Sequence, residues 1–426
     1  MRNNFSPISL GEKIKQIRNR KCITQGYLAK AMGANTMTIS RIERGAKEVS
    51  HNELSAIKKC LEIENAPLLE HELNVFRNRI WIWNDLLTTR RDTEAKAIQK
   101  ELLPILDLHY EYDLVTLYYM VEVRVLLQEK NYPQAEARLN ALDVDNASVE
   151  IQHLYHLNKG NLYDSYGDSK KALRHYLKTL NLVSEDIKPN ADVYFHIGLA
   201  YLKLGKIFYA INYLEAAKKE FNGDRTDAFA HKTGNWLARC YIVLGAYHKA
   251  KELLDLSLAK AENCNDEYVT GSLLISLGIL YEKMNDYEKS LDFYDKALTY
   301  TACDNDLHLT ALVNKASLLA NMNEYDSCHE VIKQGRNLAK DSNAFTILFD
   351  MVSHNMTLYE SKSLHYIENV AIPFLTAGEG TYKFLALTEC VLLETYYKKR
   401  RSKTKALAIA AIARDIYEGL FLEDVG

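Results

Sequence analysis

The sequence predicts an all-α protein with more than one domain. Its 426 residues contain only 6 Pro and 18 Gly, the two residue types that most disfavour helix interiors. Apolar residues recur at spacings of three and four, as at Leu10, Ile14 and Ile17, which is the period of a helix with one buried face. From about residue 110 onward a pattern of small and aromatic residues also repeats, which is typical of stacked helical hairpins.

The charge is unevenly distributed along the chain. The net charge is -3 over the whole sequence. Residues 1–66 carry 12 Lys and Arg against 6 Asp and Glu, a net charge of +6, so the remainder carries -9. A small basic domain attached to a larger acidic body is typical of a DNA reader carried by a sensor.

The cysteines and the apolar segments exclude several classes of protein. The seven cysteines are scattered, and none forms a CxxC pair: Cys22, Cys60, Cys240, Cys264, Cys303, Cys328 and Cys390. This distribution indicates reduced thiols rather than a disulfide framework or a zinc site. The first ten residues lack the apolar region of a signal peptide, and no window approaches the roughly 18 apolar residues of a membrane helix. We expect a soluble cytoplasmic protein that does not contact membranes.

The first 62 residues predict a compact group of short helices. Ser9 caps a helix over residues 10–20. Ser50, with Glu53 three residues later, forms a capping box that begins another helix. Leu54 and Ile57 lie on the apolar face of that helix.

Between these helices, residues 24–45 (TQGYLAKAMGANTMTISRIERG) predict two short helices and a tight turn. Gly33 supplies the turn, where a left-handed backbone is least costly for glycine. Asn35 caps the second helix, 36–44, and Gly45 ends it.

The second of these helices has one apolar face and one polar face. Ile39 and Ile42 face inward, which leaves Thr36, Met37, Ser40 and Arg41 outside. A short helix with polar residues at its N-terminal end has the form that enters the DNA major groove.

The pattern TQxxLAxxxG followed by TISRIERG resembles the repressor-like helix-turn-helix family called XRE or Cro/C1-type, over most of residues 10–62. The resemblance implies that Gln25 contacts a phosphate and that Thr36, Met37 and Arg41 face base edges. Arg41 suits guanine, Thr36 a base hydrogen bond and Met37 a thymine methyl group, although Met37 departs from the polar residues common there. The predicted DNA-binding set is Gln25, Asn35, Thr36, Met37, Ser40 and Arg41. The alternative is a compact helical domain without DNA affinity.

Residues 67–110 predict a linker. Pro67 marks a boundary, and a long amphipathic helix follows it to about residue 90. Asp92 or Thr93 begins a further helix to about residue 108. Trp81 and Trp83 cannot share one helix face, so we expect one in the core and one at an interface, with core packing of both as the alternative.

The remainder, residues 111–426, predicts eight helical hairpins. A mostly small residue begins each motif and is followed by an aromatic or apolar residue at +3, a small one at +12 and usually a bulky one at +16, as in Gly278, Tyr281, Ser290 and Tyr294. The eight first positions are Val123, Gly160, Gly198, Ala238, Gly278, Ala316, Met356 and Glu394. The pattern resembles the tetratricopeptide repeat, with a period longer than the usual ~34 residues. The resemblance implies a right-handed superhelix with a concave channel lined by the first helices.

Such a channel suits an extended peptide, and asparagine suits its walls because one amide both donates and accepts hydrogen bonds. The predicted peptide-binding set is Arg124, Asn158, Asn161, His196, Asn235, Arg239, Asn314 and Asn321. Arg124 and Arg239 are candidates to hold a peptide carboxylate. The alternative is that these are ordinary solvated polar residues.

The order of the predicted domains along the chain indicates a particular protein family more specifically than either domain does alone. A helix-turn-helix domain (1–66), a linker helix and first helical pair (67–110) and a repeat domain (111–426) resemble the RRNPP group of cytosolic quorum-sensing regulators, nearest to the NprR and PlcR type. The resemblance implies a transcriptional regulator that binds double-stranded DNA, is controlled by a short signalling peptide in the channel, and forms a homodimer or tetramer.

Two other functions stay open. One is a repeat protein that sequesters a response regulator or another partner protein, and the second is a phage-type repressor of lysis and lysogeny genes. No HExxH, P-loop or GxSxG motif occurs, so we predict no enzyme activity, cofactor or metal. The pair His153 and His156 lacks a third ligand in sequence. The basic run 398–405 predicts a solvated loop, with nucleic-acid contact as the alternative.

Overall fold

We describe the chain from a computed structural model. It describes residues 9–64, 66–88, 91–106, 112–142, 144, 147–182, 191–221, 227–263, 266–339, 342–358, 360–378 and 380–421. Within those ranges all regular structure is helical and no strand occurs, so the all-α prediction is confirmed. No helix in those ranges has the length and apolarity needed to cross a membrane.

The chain forms two compact units, Met1–Ser165 and Tyr166–Gly426. The helices of the first are α1 (Leu10–Arg20), α2 (Gln25–Ala31), α3 (Thr36–Glu43), α4 (His51–Cys60), α5 (Glu70–Thr88), α6 (Asp92–Leu106), α7 (Tyr112–Gln128), α8 (Tyr132–Asn140) and α9 (Val149–Ser165). The predicted division at residues 66 and 110 stays a prediction, and residue 110 lies outside the described residues.

Helices α1 to α4 pack around a small apolar core that includes Ile14, Leu28 and Ile39. The side chain of Ser9 accepts a hydrogen bond from the Glu12 amide, and that of Asn35 accepts one from the Thr38 amide. Ser50 and Glu53 form the predicted capping box. Gly33 and Gly45 adopt φ angles of 64° and 70°, the left-handed region that glycine tolerates best. The local predictions for these helices are therefore confirmed.

Helices α5 to α9 share a second core. Trp83 of α5 is fully buried, and its ring lies 5.1 Å from that of Tyr118 on α7. Trp81, two residues earlier, is half-buried and packs at the edge of the same core. The prediction that one of the two tryptophans lies in the core is confirmed for Trp83. An interface role for Trp81 stays a prediction.

The second unit consists mainly of antiparallel hairpins. Its helices are α10 (Ser169–Asn181), α11 (Ala191–Lys203), α12 (Ile207–Phe221), α13 (Asp227–Val243), α14 (Tyr247–Asn263), α15 (Glu267–Lys283), α16 (Tyr287–Tyr300), a 3₁₀ turn (Thr301–Cys303), α17 (Asn305–Asn321), α18 (Tyr325–Leu338), α19 (Asn343–Met356), α20 (Ser361–Tyr366), a π-helical turn (Ile367–Ala371), α21 (Ile372–Ala377), α22 (Gly380–Lys399) and α23 (Lys403–Phe421).

The small residues of the repeat pattern permit close helix packing. A Cβ built on Gly278 would stand 2.4 Å from the Tyr294 ring, and one on Gly198 would stand 2.7 Å from Leu214 Cγ. Real Cβ atoms do not approach this closely, so the +16 side chain fills the space that glycine leaves. The +12 residue also contacts the first position, since Ser290 donates to the Gly278 carbonyl at 2.8 Å.

The seventh predicted hairpin departs from the pattern. Helix α19 ends at Met356, the predicted first position, rather than continuing as α15 does beyond Gly278. Its +3 residue, Tyr359, lies outside the described residues. The following segment divides into α20, a π-helical turn and α21, and Pro373 follows that turn. Proline lacks the amide that a regular helix needs there, and such turns accommodate the interruption.

The last hairpin of the second unit packs on its first. Leu420 of α23 is fully buried, and a Cβ built on Gly205, in the turn between α11 and α12, would stand 2.1 Å from Leu420 Cδ2. Phe384 of α22 packs against the core formed by α11 to α17. The helices of this unit therefore form one connected structure from α11 to α23.

Candidate functional site

The outer face of α3 carries the residues predicted to bind DNA. Thr36 and Arg41 are exposed, Ser40 is half-buried, and 65% of the Met37 surface is exposed. Ile39 and Ile42 on the opposite face are buried. The helix therefore presents hydroxyl, thioether and guanidinium groups together, which are the groups that contact base edges and thymine methyl groups.

A buried ion pair holds α3 against α1. Arg18 Nε donates to Glu43 Oε1 at 2.5 Å, and Arg18 Nη2 donates to Glu43 Oε2 at 3.1 Å. Arg18 Nη1 also donates to the Ile23 carbonyl at 2.7 Å. The side chains of Arg18 and Glu43 are only 10% and 1% exposed. This bidentate geometry fixes the orientation of α3 as well as stabilising it.

Two predicted residues have structural partners in this group. Gln25 Nε2 donates to Glu43 Oε2 at 2.7 Å and thus extends the ion pair to the start of α2. Asn35 Oδ1 accepts from the Thr38 amide at 2.8 Å and from the Thr38 hydroxyl at 2.9 Å. A phosphate contact by Gln25 stays a prediction. Sequence spacing gave no sign of the Arg18–Glu43 pair, because its partners lie 25 residues apart.

The predicted peptide-binding residues lie on the first helices of the hairpins, and several link one first helix to the next. Asn158 Nδ2 on α9 donates to the Met120 carbonyl of α7 at 2.7 Å, and Asn158 has no exposed surface. Asn235 Nδ2 on α13 donates to Ser272 Oγ of α15 at 2.8 Å and is 2% exposed. A peptide contact at either residue would require the neighbouring helices to separate.

Arg239 is the cation of this set in the second unit. Its Nε donates to Ser276 Oγ at 3.0 Å, and its guanidinium carbon lies 4.9 Å from the centre of the Trp236 ring. Burial lowers the pKa of Arg239. No carboxylate among the described residues forms an ion pair with it, so a carboxylate would be a favourable ligand.

The remaining predicted residues are more accessible. Asn314 is half-buried, and its Nδ2 donates to the Thr310 carbonyl of its own helix at 2.9 Å. Asn321 is exposed, and its Nδ2 lies 3.5 Å from Glu282 Oε1. His196 stacks on Tyr176, with ring centres 5.3 Å apart.

His196 Nε2 also lies 3.2 Å from Asp192 Oδ1 on the same helix. In the first unit, Arg124 donates to Asn84 Oδ1 at 2.8 Å and to Thr88 Oγ1 at 3.1 Å. Arg124 therefore ties α7 to α5, and a role in peptide binding stays a prediction. Asn161 is half-buried on α9.

Three asparagines on first helices share one feature. Each donates its Nδ2 to a neighbouring helix, while no donor among the described residues reaches its buried Oδ1: Asn158, Asn235 and Asn355. A buried acceptor without a donor is costly. A ligand that supplied backbone amides would therefore be stabilised at these oxygens once the neighbouring helices had separated.

Asn355 and its partner Glu389 were not predicted from sequence. Asn355 Nδ2 on α19 donates to Glu389 Oε1 on α22 at 3.0 Å, and Glu389 is 5% exposed. The available signal was the spacing of Ala386, Glu389 and Leu393, which places a carboxyl within an apolar stripe. Such a residue is neutral or paired when buried.

Glu389 predicts a pH dependence of stability. Burial raises the pKa of Glu389 to about 7, whereas an unfolded glutamate has a pKa of about 4.3. The folded state therefore retains a proton that the unfolded state has lost, and the free energy of unfolding falls as pH rises between these two values. We expect Glu389→Gln to remove this dependence. At pH 8 the free energy of unfolding of this variant should exceed that of wild type by up to roughly 4 kcal/mol.

The control for this comparison is Glu418→Gln, an exposed carboxyl on α23. The free energy of unfolding of wild type and both variants is measured by urea denaturation at pH 5 and pH 8. Equal losses of stability with pH in wild type and Glu389→Gln would contradict the assignment to Glu389.

Comparisons with known proteins identify the repeats. Tetratricopeptide repeat models match residues 191–221 and 229–301, which cover α11 to α16 except for the first two residues of α13. Comparison of the sequence with curated proteins finds no match.

Solved structures extend the likeness to most of the chain. The structure of a Rap protein complexed with competence and sporulation factor has a TM-score of 0.71 at 14% identity, over 82% of this chain and 99% of that one. The quorum sensor NprR from B. thuringiensis in its apo form has a TM-score of 0.65 at 19% identity, over 80% and 98%. Aspartyl phosphate phosphatase F from Bacillus subtilis has a TM-score of 0.53 at 14% identity, over 82% and 96%. At these identities the likeness concerns the fold. The chain contains tetratricopeptide repeats within residues 191–301, and its helical fold is similar to those of Rap and NprR.

Proposed function

We propose that the chain is a cytoplasmic transcriptional regulator that binds double-stranded DNA through α3 and is controlled by a short peptide bound to the first helices of the repeats. The observation that supports the proposal most strongly is that one chain contains both a helical group suited to DNA and a repeat array suited to a peptide. A basic helical group with an outward polar helix precedes a repeat array whose first helices hold asparagines with unpaired acceptors.

The N-terminal group supports the DNA-binding part. Its caps, its turn at Gly33 and its sequence pattern agree with the Cro/C1-type helix-turn-helix. The buried Arg18–Glu43 pair holds α3 so that Thr36, Met37 and Arg41 lie on the outer face. In a dimer, two such helices would read two half-sites at a spacing set by the body of the protein.

The repeat array supports the peptide-binding part. Arg239 offers an uncompensated guanidinium, Asn314 a half-buried amide, and Asn235 an unpaired oxygen. One of the similar structures is NprR in complex with its cognate peptide NprX. A peptide that binds one assembly better than another would shift the balance between them.

A protein-binding regulator is the second candidate function. The similar fold of aspartyl phosphate phosphatase F and the Rap likeness at a TM-score of 0.71 favour it. In that case the repeats would bind a partner protein, and DNA affinity would be absent. The DNA experiment below separates the two functions.

We expect the full-length protein to bind the DNA fragment upstream of its own coding sequence. Arg41→Ala should weaken this binding by about 5- to 150-fold, the range for losing one base-contacting arginine. Arg414→Ala is the matched control, because it removes the same charge from an exposed position on α23. Titration by fluorescence anisotropy at fixed salt measures the affinities. Absence of binding by wild type would exclude this proposal and favour the protein-binding regulator.

Asn314→Ala tests the peptide site without disturbing the packing between helices, because within the described part of the chain Asn314 bonds only inside α17. The probes are synthetic peptides taken from the C-terminal ends of small reading frames beside the coding sequence. Calorimetry should detect binding of one such peptide and a loss of about tenfold or more in Asn314→Ala, the effect of leaving a peptide amide unpaired. Equal affinity in both proteins would place the peptide elsewhere.

A further inference from the structure

The turn between α22 and α23 carries a dense cluster of positive charge. Residues 398–405 (KKRRSKTK), here called the basic turn, contain six lysines and arginines and no acidic residue. All six of these side chains belong to exposed residues. Residues 67–426 as a whole carry a net charge of -9, so this turn is a local exception on an acidic domain.

The corresponding turns of four other hairpins in the second unit are not basic. Each has one residue with a left-handed backbone, which is glycine or asparagine in the other four and arginine in the basic turn: Gly205, Gly245, Asn285, Asn323 and Arg401. The same eight positions carry net charges between -2 and +2 in the segments 202–209, 242–249, 282–289 and 320–327. The charge of the basic turn is therefore not a requirement of the hairpin fold.

Several of these charges oppose local helix stability. Arg401 has a φ angle of 58°, a conformation that costs a residue with a side chain more than glycine. Lys403 and Lys405 lie in the first turn of α23, where the helix dipole disfavours cations. Only Lys398 and Lys399, in the last turn of α22, occupy positions that favour a positive charge. Residues that break local rules in this way are expected at functional sites.

The backbone of the basic turn is held by hydrogen bonds. The Arg401 amide donates to the Lys398 carbonyl at 3.1 Å, and the Ser402 amide donates to the Tyr397 carbonyl at 3.0 Å. Lys405 Nζ lies 5.0 Å from the centre of the Tyr397 ring, and Tyr397 is buried. The charges are therefore presented from a fixed scaffold, which lowers the conformational entropy lost on binding.

Half of the cations in the basic turn are available to a ligand. Lys398 Nζ pairs with Glu394 Oε1 at 2.5 Å, and the Arg400 guanidinium carbon lies 5.5 Å from the centre of the Tyr396 ring. Within the described part of the chain, no hydrogen bond, ion pair or ring contact reaches the side chains of three others: Lys399, Arg401 and Lys403.

The composition of the basic turn favours nucleic acid over other anionic partners. Residues 398–405 contain no apolar side chain, so they lack both the apolar face that inserts into a membrane and the aromatic anchor typical of a protein interface. Lysine is also depleted at protein interfaces. Lysine and arginine instead supply most contacts with nucleic-acid phosphates, which bind by charge.

We propose that the basic turn binds the phosphate backbone of duplex DNA, independently of base sequence, through Lys399, Arg401 and Lys403. The choice of duplex DNA among nucleic acids rests on the function proposed above. This contact adds to that of α3 and strengthens binding to any duplex by releasing condensed counterions.

The test measures how salt weakens the binding of full-length protein to an unrelated duplex. Fluorescence anisotropy gives the affinity for a labelled duplex of about 24 base pairs, a length that offers many overlapping non-specific sites. The variant Lys399→Gln, Arg401→Gln, Lys403→Gln should bind more weakly and with a shallower salt dependence. Losing two to three phosphate contacts means that the ratio of wild-type to variant affinity falls about 10- to 40-fold between 50 and 200 mM salt.

Two control proteins separate this effect from net charge and from folding. Lys219→Gln, Lys260→Gln, Lys333→Gln removes the same charge from exposed positions on α12, α14 and α18 and should keep the wild-type salt dependence. Arg401→Gly relieves the left-handed backbone, so thermal unfolding should occur at a higher temperature. The same variant should lose about one unit of the salt slope, because one phosphate contact is removed.

The outcomes distinguish this proposal from the function proposed above. Equal salt dependence in wild type and the basic-turn variant would overturn it, even if Arg41→Ala weakens binding to the upstream fragment. A shallower dependence would support it, even if the upstream fragment binds no better than the unrelated duplex. No binding of the unrelated duplex at 50 mM salt would overturn it, as would stronger competition by polyglutamate or duplex RNA than by duplex DNA at equal charge concentration.

Discussion

Glu43→Ala is expected to unfold α1 to α3 locally and to abolish DNA binding. The substitution leaves the Arg18 guanidinium buried, and among the described residues only the Ile23 carbonyl then accepts from it. Removing one partner of a buried ion pair costs about 3–5 kcal/mol, a large share of the stability of a small helical group. Hydrogen exchange of the α1 to α3 amides, followed by mass spectrometry, should show a matching loss of protection.

Two further variants identify the cause of this loss. Lys15→Ala breaks the exposed pair with Glu12 on the same helix and should cost less than about 1 kcal/mol. The double variant Arg18→Met, Glu43→Leu removes both buried charges and should recover most of the protection. Unchanged exchange in Glu43→Ala would contradict the view that this pair holds α3.

Gly278→Val is expected to have the largest effect on the repeats. Even the first added carbon would stand 2.4 Å from the Tyr294 ring, and Tyr294 is fully buried. The ring must move, which would also weaken the hydrogen bond from the Tyr294 hydroxyl to Glu282 at 3.2 Å. Overpacking of this kind costs about 3 kcal/mol. Thermal unfolding followed by circular dichroism should show the decrease.

The hairpin of α13 and α14 suggests a second substitution that would restore the lost stability. There the first position is Ala238 and the +16 residue is Leu254, and both are fully buried. Gly278→Ala combined with Tyr294→Leu reproduces that pair and should be more stable than Gly278→Ala alone. Gly419→Ala is the control, because no heavy atom of the described residues lies within 4 Å of its added Cβ. A Gly278→Val protein as stable as wild type would contradict the predicted packing.

Local structure was predictable because its causes are local. Ser9, Asn35 and Ser50 cap helices through groups within three residues, and the +12 and +16 residues follow from helix geometry. The irregular seventh hairpin was not predicted. Its first position and Tyr359 match the repeat pattern, but that pattern does not encode the interruption of the second helix near Pro373.

The candidate sites were only partly predictable because their geometry depends on long-range contacts. Sequence alone does not tell whether an asparagine on a first helix faces a ligand or the next helix. Asn158 bonds to Met120, 38 residues away, and is buried, whereas Asn314 bonds within its own turn. The Arg18–Glu43 pair likewise depends on residues that only the fold brings together.

The most direct test of the account is the coupling between peptide and DNA in the full-length protein. Its affinity for upstream DNA is measured without peptide and at saturating peptide, and its mass in solution is measured in both states. We predict a change in DNA affinity of about 5- to 150-fold and an equal change in peptide affinity when DNA is bound. In Asn314→Ala the change in DNA affinity should require a peptide concentration about tenfold or more higher. A DNA affinity that is the same with and without bound peptide would contradict peptide control.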